Sequence, residues 1–97
     1  MRRAVWANTA LHDFDQAIFY IAQDDPRAAL LVADRIAVAL NGLAVMPTGR
    51  AGRVSGTYEK SVTRAPYILA YAVTDEAVTI LRVIHSSRDW RNESWPK

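Results

Sequence analysis

Cysteine is absent from this chain, which excludes disulfides and thiolate chemistry. Histidine occurs only as His12 and His85, one near each end, too few to frame a structural zinc site. Neither residue type supplies a metal or cofactor site, and none is expected. No long apolar run follows the amino-terminal stretch MRRAVWANTALHDF. That pattern predicts neither a signal peptide nor a membrane span, and a cytosolic protein is the expectation. Glycine is scarce, with four residues, yet Gly49, Gly52 and Gly56 all fall in GRAGRVSGTYE, residues 49–59. These glycines form no phosphate-binding loop. Such a loop runs from strand to helix, whereas here the order is helix, loop, strand, and no helix N-terminus faces the loop.

What is present describes one small globular domain, residues 1–97, 51% hydrophobic and 23% charged. A chain this short buries a small core and should be only modestly stable alone. The net charge of +2 is unevenly spread. Residues 1–48 hold four arginines against five aspartates, and residues 49–97 hold eight Lys/Arg against five Asp/Glu. A basic second half is either an ordinary solvated surface or a face for an anionic partner.

Periodicity orders the elements. RRAVWA, residues 2–7, has strand character. Asn8 or Thr9 can cap a helix in which Leu11, Phe14, Ile18 and Ile21 form one stripe ending at Gln23. Asp25-Pro26 restarts it: aspartate is a good N-cap, and proline at the first helical position loses nothing by lacking an N–H. Ala29, Val32, Ile36, Ala39 or Leu40, Leu43 and Met46 make the second stripe, which Pro47 closes. So short a connection predicts an antiparallel helical hairpin. TYEKSVT (57–63), PYILAYAV (66–73) and VTILRVIH (78–85) read as three strands, with TDEA (74–77) as the last turn. The expected class is α+β, in the order β-α-α-β-β-β. An antiparallel sheet should cover the hairpin with one face and leave the other partly free. DWRNESWPK, residues 89–97, is expected to dock through Trp90 or Trp95, or to fray.

Arg50, Arg53, Lys60, Arg64, Arg82 and Arg88 are six cations across the glycine-rich joint and the sheet. Convergent on one surface, with Tyr58, Tyr67, Tyr71 or Trp90 as stacking groups, they would suit nucleic acid. Tyrosines in strands also simply pack, and packing is expected of Tyr71. Strict alternation in the last strand sets Val78, Ile80, Arg82 and Ile84 on one face and Thr79, Leu81, Val83 and His85 on the other. An arginine in an apolar row needs a partner, and Glu59 is the expected one. His85 is either a base beside guanidiniums or an imidazole bonded to backbone at a strand end.

Four segments, ALHDFDQAIFYIAQDDPRAA, GRAGRVSGTYE, APYILAYAV and ILRVIHSSRDW, occur in one order and together resemble the RelE/ParE superfamily of bacterial toxins. The resemblance covers nearly the whole chain. It implies the small RelE/ParE-like fold and a toxin of a type II toxin–antitoxin module, of the kind that stabilises plasmids. It also implies a cognate antitoxin with an acidic carboxy-terminal segment, joined to the toxin in a hetero-oligomer. RelE-type members cleave mRNA on the ribosome without metal; ParE-type members poison DNA gyrase. Here the strand PYILAYAV carries no cation, the closing segment lacks the late tyrosine of many of the nucleases, and Trp90 can only donate. The resemblance therefore favours the ParE branch, with Arg50, Arg53, Arg64, Arg82, Arg88 and Trp90 meeting target or antitoxin. Were it a nuclease, His85 would be the base, Arg88 and Arg64 would stabilise the phosphate, and Glu59 would assist.

Overall fold

The computed structural model describes residues 2–52 and 54–87. The order is β1 (Arg3–Trp6), α1 (Asn8–Asp24), α2 (Pro26–Val45), β2 (Arg50–Ala51), β3 (Tyr58–Ser61), β4 (Tyr67–Val73) and β5 (Ala77–His85). The sheet runs β1-β5-β4-β3-β2. It is antiparallel from β5 to β2, as expected, while β1 joins β5 in parallel, Arg3 opposite Ala77 and Trp6 opposite Ile80.

The helical hairpin forms for the reasons its sequence states. The Asp25 carboxylate accepts hydrogen bonds from the N–H groups of Arg27 and Ala28, and Pro26 opens α2. α1 begins at Asn8 with Ala7 as its cap residue and no side-chain cap bond. The Thr9 hydroxyl, a cap candidate, instead donates to the Leu81 carbonyl at 3.0 Å and ties α1 to β5. α2 buries Ala29, Val32, Ile36, Leu40 and Leu43 against the sheet, whereas Met46 lies past the helix end and is exposed. Asn41 and Gly42 do not fray the helix, which runs on to Val45.

The glycine-rich joint is a β-hairpin rather than a loose hinge. Arg50 pairs with Glu59 and Ala51 with Tyr58, while Gly56, at φ +83°, makes the turn. Gly49 is required for close approach. Its N–H donates to the Tyr71 hydroxyl at 2.8 Å, and a side chain there would run into that oxygen and the Glu59 carbonyl. Tyr71 itself is fully buried and packs against the Tyr58 ring.

The core lies between the hairpin and one sheet face. Ile36, Leu43, Leu69, Tyr71, Val78 and Ile80 are its largest fully buried residues, each worth about 1.5–3 kcal/mol of burial. The far face is not bare. Ile68, Ala70, Ile84 and Glu59 are all buried there.

Candidate functional site

A bulge in β5 decides what reaches the helix side. Tyr71 pairs with Ile80, but Ala70 pairs with Arg82, so Leu81 is an extra residue. It breaks the alternation: Val78, Ile80 and Val83 all enter the core. His85, opposite Tyr67, follows Val83 to the helix side. There it borders a cleft of about 370 Å³ between α1 and the ends of β4 and β5, with Asp13, Tyr20 and Tyr67 among its walls. The His85 and Tyr67 rings meet edge-on, 5.2 Å between centroids.

The Ser87 N–H donates to His85 Nδ1 at 3.2 Å, and the Ser87 hydroxyl lies 2.7 Å from the same nitrogen. A nitrogen that accepts an N–H holds no proton, so the neutral ring carries its proton on Nε2. The ring's lone pair is thus turned to its own strand end and not to the cleft.

Arg82 is held from inside the molecule. Its Nε donates to Asp13 Oδ2 at 2.7 Å and its Nη2 to Asp13 Oδ1 at 3.1 Å. The same carboxylate accepts the Val83 N–H at 3.1 Å. β1 pairs with β5 only as far as Ile80, so beyond it Asp13 of α1 takes up the ladder's exposed edge. The hydrogen bond to Asp13 raises the Arg82 pKa above its ordinary value, burial opposing it and the aspartate charge adding to it. Arg82 therefore pairs with Asp13 rather than with the expected Glu59.

Glu59 and His85 are not brought together. Glu59 pairs with Ala70 and His85 with Tyr67, positions of opposite parity on β4, so the two lie on opposite faces. They stand about 10 Å apart across two strand spacings and about 10 Å along the strands. Arg64 does reach the His85 end of the sheet: it sits in the turn before β4, where the Ser86 N–H donates to the Pro66 carbonyl at 2.8 Å. Arg50 is exposed on β2, its Nη2 3.8 Å from Glu59 Oε1, a loose contact. Arg53, Arg88 and Trp90 lie outside the described residues.

A second concavity, of about 350 Å³, opens between α2 and β3. Arg35, Lys60 and Arg64 ring it, and Val38 and Ala39 form its apolar floor. Arg35 Nη1 donates to the Arg64 carbonyl at 2.7 Å, and Lys60 Nζ donates to the Thr48 hydroxyl at 3.1 Å. Arg64 adopts the left-handed conformation, φ +60°, unusual for a branched or bulky residue. Arg35 escapes sequence reasoning because it lies 29 residues from Arg64 and only the packed fold joins them.

A two-helix hairpin packed on one face of a five-stranded mixed sheet is the RelE/ParE-like toxin fold. The same fold occurs in a chain of the chromosomal ParDE system from P. aeruginosa, at a TM-score of 0.77 and 24% identity, covering 88% of this chain and 96% of that one. The family model for the ParE toxin of the parDE type II toxin–antitoxin system matches residues 4–90. The chain belongs to that ParE toxin family, and its partner is accordingly an antitoxin. Two relatives agree. Y4kP of Sinorhizobium fredii is 39% identical over 90 residues, 92% of this chain and 93% of its own length. Toxin RelE2 of Caulobacter vibrioides is 35% identical over 88 residues, 91% and 99% respectively.

Proposed function

We propose that this toxin arrests growth by binding rather than by cutting, with DNA gyrase as its cytoplasmic target. An antitoxin with an acidic carboxy-terminal segment silences it in a toxin–antitoxin hetero-oligomer. The observation that carries the reading is the separation of Glu59 from His85 on opposite sheet faces. Metal-free RNA cleavage needs a base, an acid and charge stabilisation at one phosphate. His85 Nδ1 already accepts the Ser87 N–H, and Asp13 is engaged by Arg82 and the Val83 N–H. The groove ringed by Arg35, Lys60 and Arg64 over Val38 and Ala39 supports the antitoxin half, because an acidic amphipathic segment matches both its charge and its floor.

One observation favours a second reading, a ribosome-dependent mRNA endonuclease: His85, Tyr67 and the Arg64 turn share one end of the sheet. Two assays decide. Purified toxin with gyrase and supercoiled plasmid should accumulate cleaved DNA. Primer extension on a reporter mRNA after induction should show no codon-spaced cuts. Cuts that vanish in His85→Ala would refute the binding reading. For the antitoxin, Lys60→Glu with Arg64→Glu should weaken affinity tenfold or more, about 1.4 kcal/mol, and unchanged affinity would clear the groove.

A further inference from the structure

Arg64 holds a backbone conformation that favours glycine. Its φ is +60°, and it stands third in the turn that the Ala65 N–H closes on the Val62 carbonyl at 3.3 Å. Glycine or asparagine takes that position readily, whereas an arginine there costs stability. The ends of the turn are fixed by the core. Val62 and Tyr67 are buried, the Val62 N–H donates to the Tyr67 carbonyl at 2.9 Å, and the Ser86 N–H donates to the Pro66 carbonyl. The middle is fixed by a long-range bond, from Arg35 Nη1 on α2 to the Arg64 carbonyl at 2.7 Å.

That bond also sets the direction of the Arg64 side chain. Rotation about N–Cα carries the side chain and the following carbonyl together, so tying down one ties down the other. Nothing within the turn calls for a guanidinium. Among the described residues no carboxylate makes an ion pair with Arg35 or Arg64, and none lines their groove. Ser61 and Thr63 add hydroxyls to its walls. Two guanidiniums brought to one groove without a counter-charge suit a carboxylate, which an arginine meets with paired N–H groups.

We infer that Arg64 is the specificity-determining residue of this groove, kept left-handed so that its guanidinium meets a carboxylate of the antitoxin, and that Arg35 is the positioning residue that holds it there. The inference rests on the groove being the seat of the antitoxin. A strained arginine where glycine would relax is stability exchanged for recognition.

The test uses the full toxin chain and, as probe, a synthetic peptide of the carboxy-terminal segment of the antitoxin from the adjoining reading frame. Arg64→Gly and Arg64→Asn accept positive φ. Both should melt at or above the temperature of the parent chain, yet bind the peptide at least about tenfold more weakly. Arg35→Ala should weaken binding about tenfold in the parent but no more than about threefold in the Arg64→Gly background, because its effect passes through Arg64. In the free toxin Arg35→Ala should also speed hydrogen exchange of the Ala65 N–H and leave the Leu69 N–H unchanged. Variants of Arg64 that melt lower and bind as the parent does would make the residue structural and overturn the inference. So would equal losses from Arg35→Ala in both backgrounds, or an Ala65 N–H that exchanges no faster. If Lys60→Glu with Arg64→Glu leaves affinity unchanged, the seat itself is misplaced and the inference falls with it. If that pair weakens binding while Arg64→Gly does not, the seat stands and the inference alone is wrong.

Discussion

Replacing Arg82 by leucine separates a fold-holding role from a partner-binding one. The Arg82–Asp13 pair has two charge-assisted bonds, 2.7 and 3.1 Å, with the side chains 25% and 13% exposed. A hydrogen bond to a charged group contributes about 1.5–3 kcal/mol net, and residual solvent lowers that. Arg82→Leu should therefore cost about 2 kcal/mol. Asp13→Ala should cost more, about 3 kcal/mol, because it also strips the Val83 N–H of its acceptor. At about 4–8 °C per kcal/mol for a chain of this size, the Arg82 variant should melt about 8–16 °C lower. Thermal and urea unfolding followed by circular dichroism measure both singles and the double. The cycle should give a coupling of at least about 1.5 kcal/mol. If Arg82→Leu unfolds within about 0.5 kcal/mol of the parent, and the two changes add, the pair holds nothing. Arg82 would then return to the set of surface cations available to gyrase or antitoxin.

Two further outcomes follow from the glycine-rich hairpin. Burial raises the Tyr71 pKa, with the Gly49 N–H opposing it and Tyr58 adding to it. A folded pKa above the unfolded one means that the unfolded chain loses its proton first, so this share of stability is complete below about pH 10 and is lost as pH climbs through the raised value. Absorbance titration should show a late phenol that Tyr71→Phe removes; an unchanged titration would refute its burial. Gly49→Ala, whose methyl has no room against Tyr71 and the Glu59 carbonyl, should destabilise by about 1–3 kcal/mol. Wild-type stability in denaturant would show that the hairpin shifts freely.

The helices were legible in the sequence because their signals are local. Stripes at spacings of three and four, and aspartate before proline, act within a turn of each other, and α2 starts where they place it. The last strand was legible as a strand but not in its facing. One extra residue at Leu81 reverses every side chain beyond it, and nothing in ILRVIH marks a bulge. The parallel docking of β1 was equally hidden, since Arg3 and Ala77 meet only through the tertiary fold. The site suffered most. Arg82 looked toward Glu59 by strand proximity, yet its aspartate lies 69 residues away, on a helix position that the apolar stripe leaves polar. Tyr71 was expected to pack and does so.

The pairing of β1 with β5 has a consequence during synthesis. Trp6 meets Ile80, and the Ala7 N–H donates to the Ile80 carbonyl at 2.9 Å, so the first strand waits for the last. At about 5–20 residues per second, a ribosome needs several seconds between making the two. Throughout that interval the nascent chain has an incomplete sheet. An antitoxin already present would meet an unfinished toxin before it met a finished one.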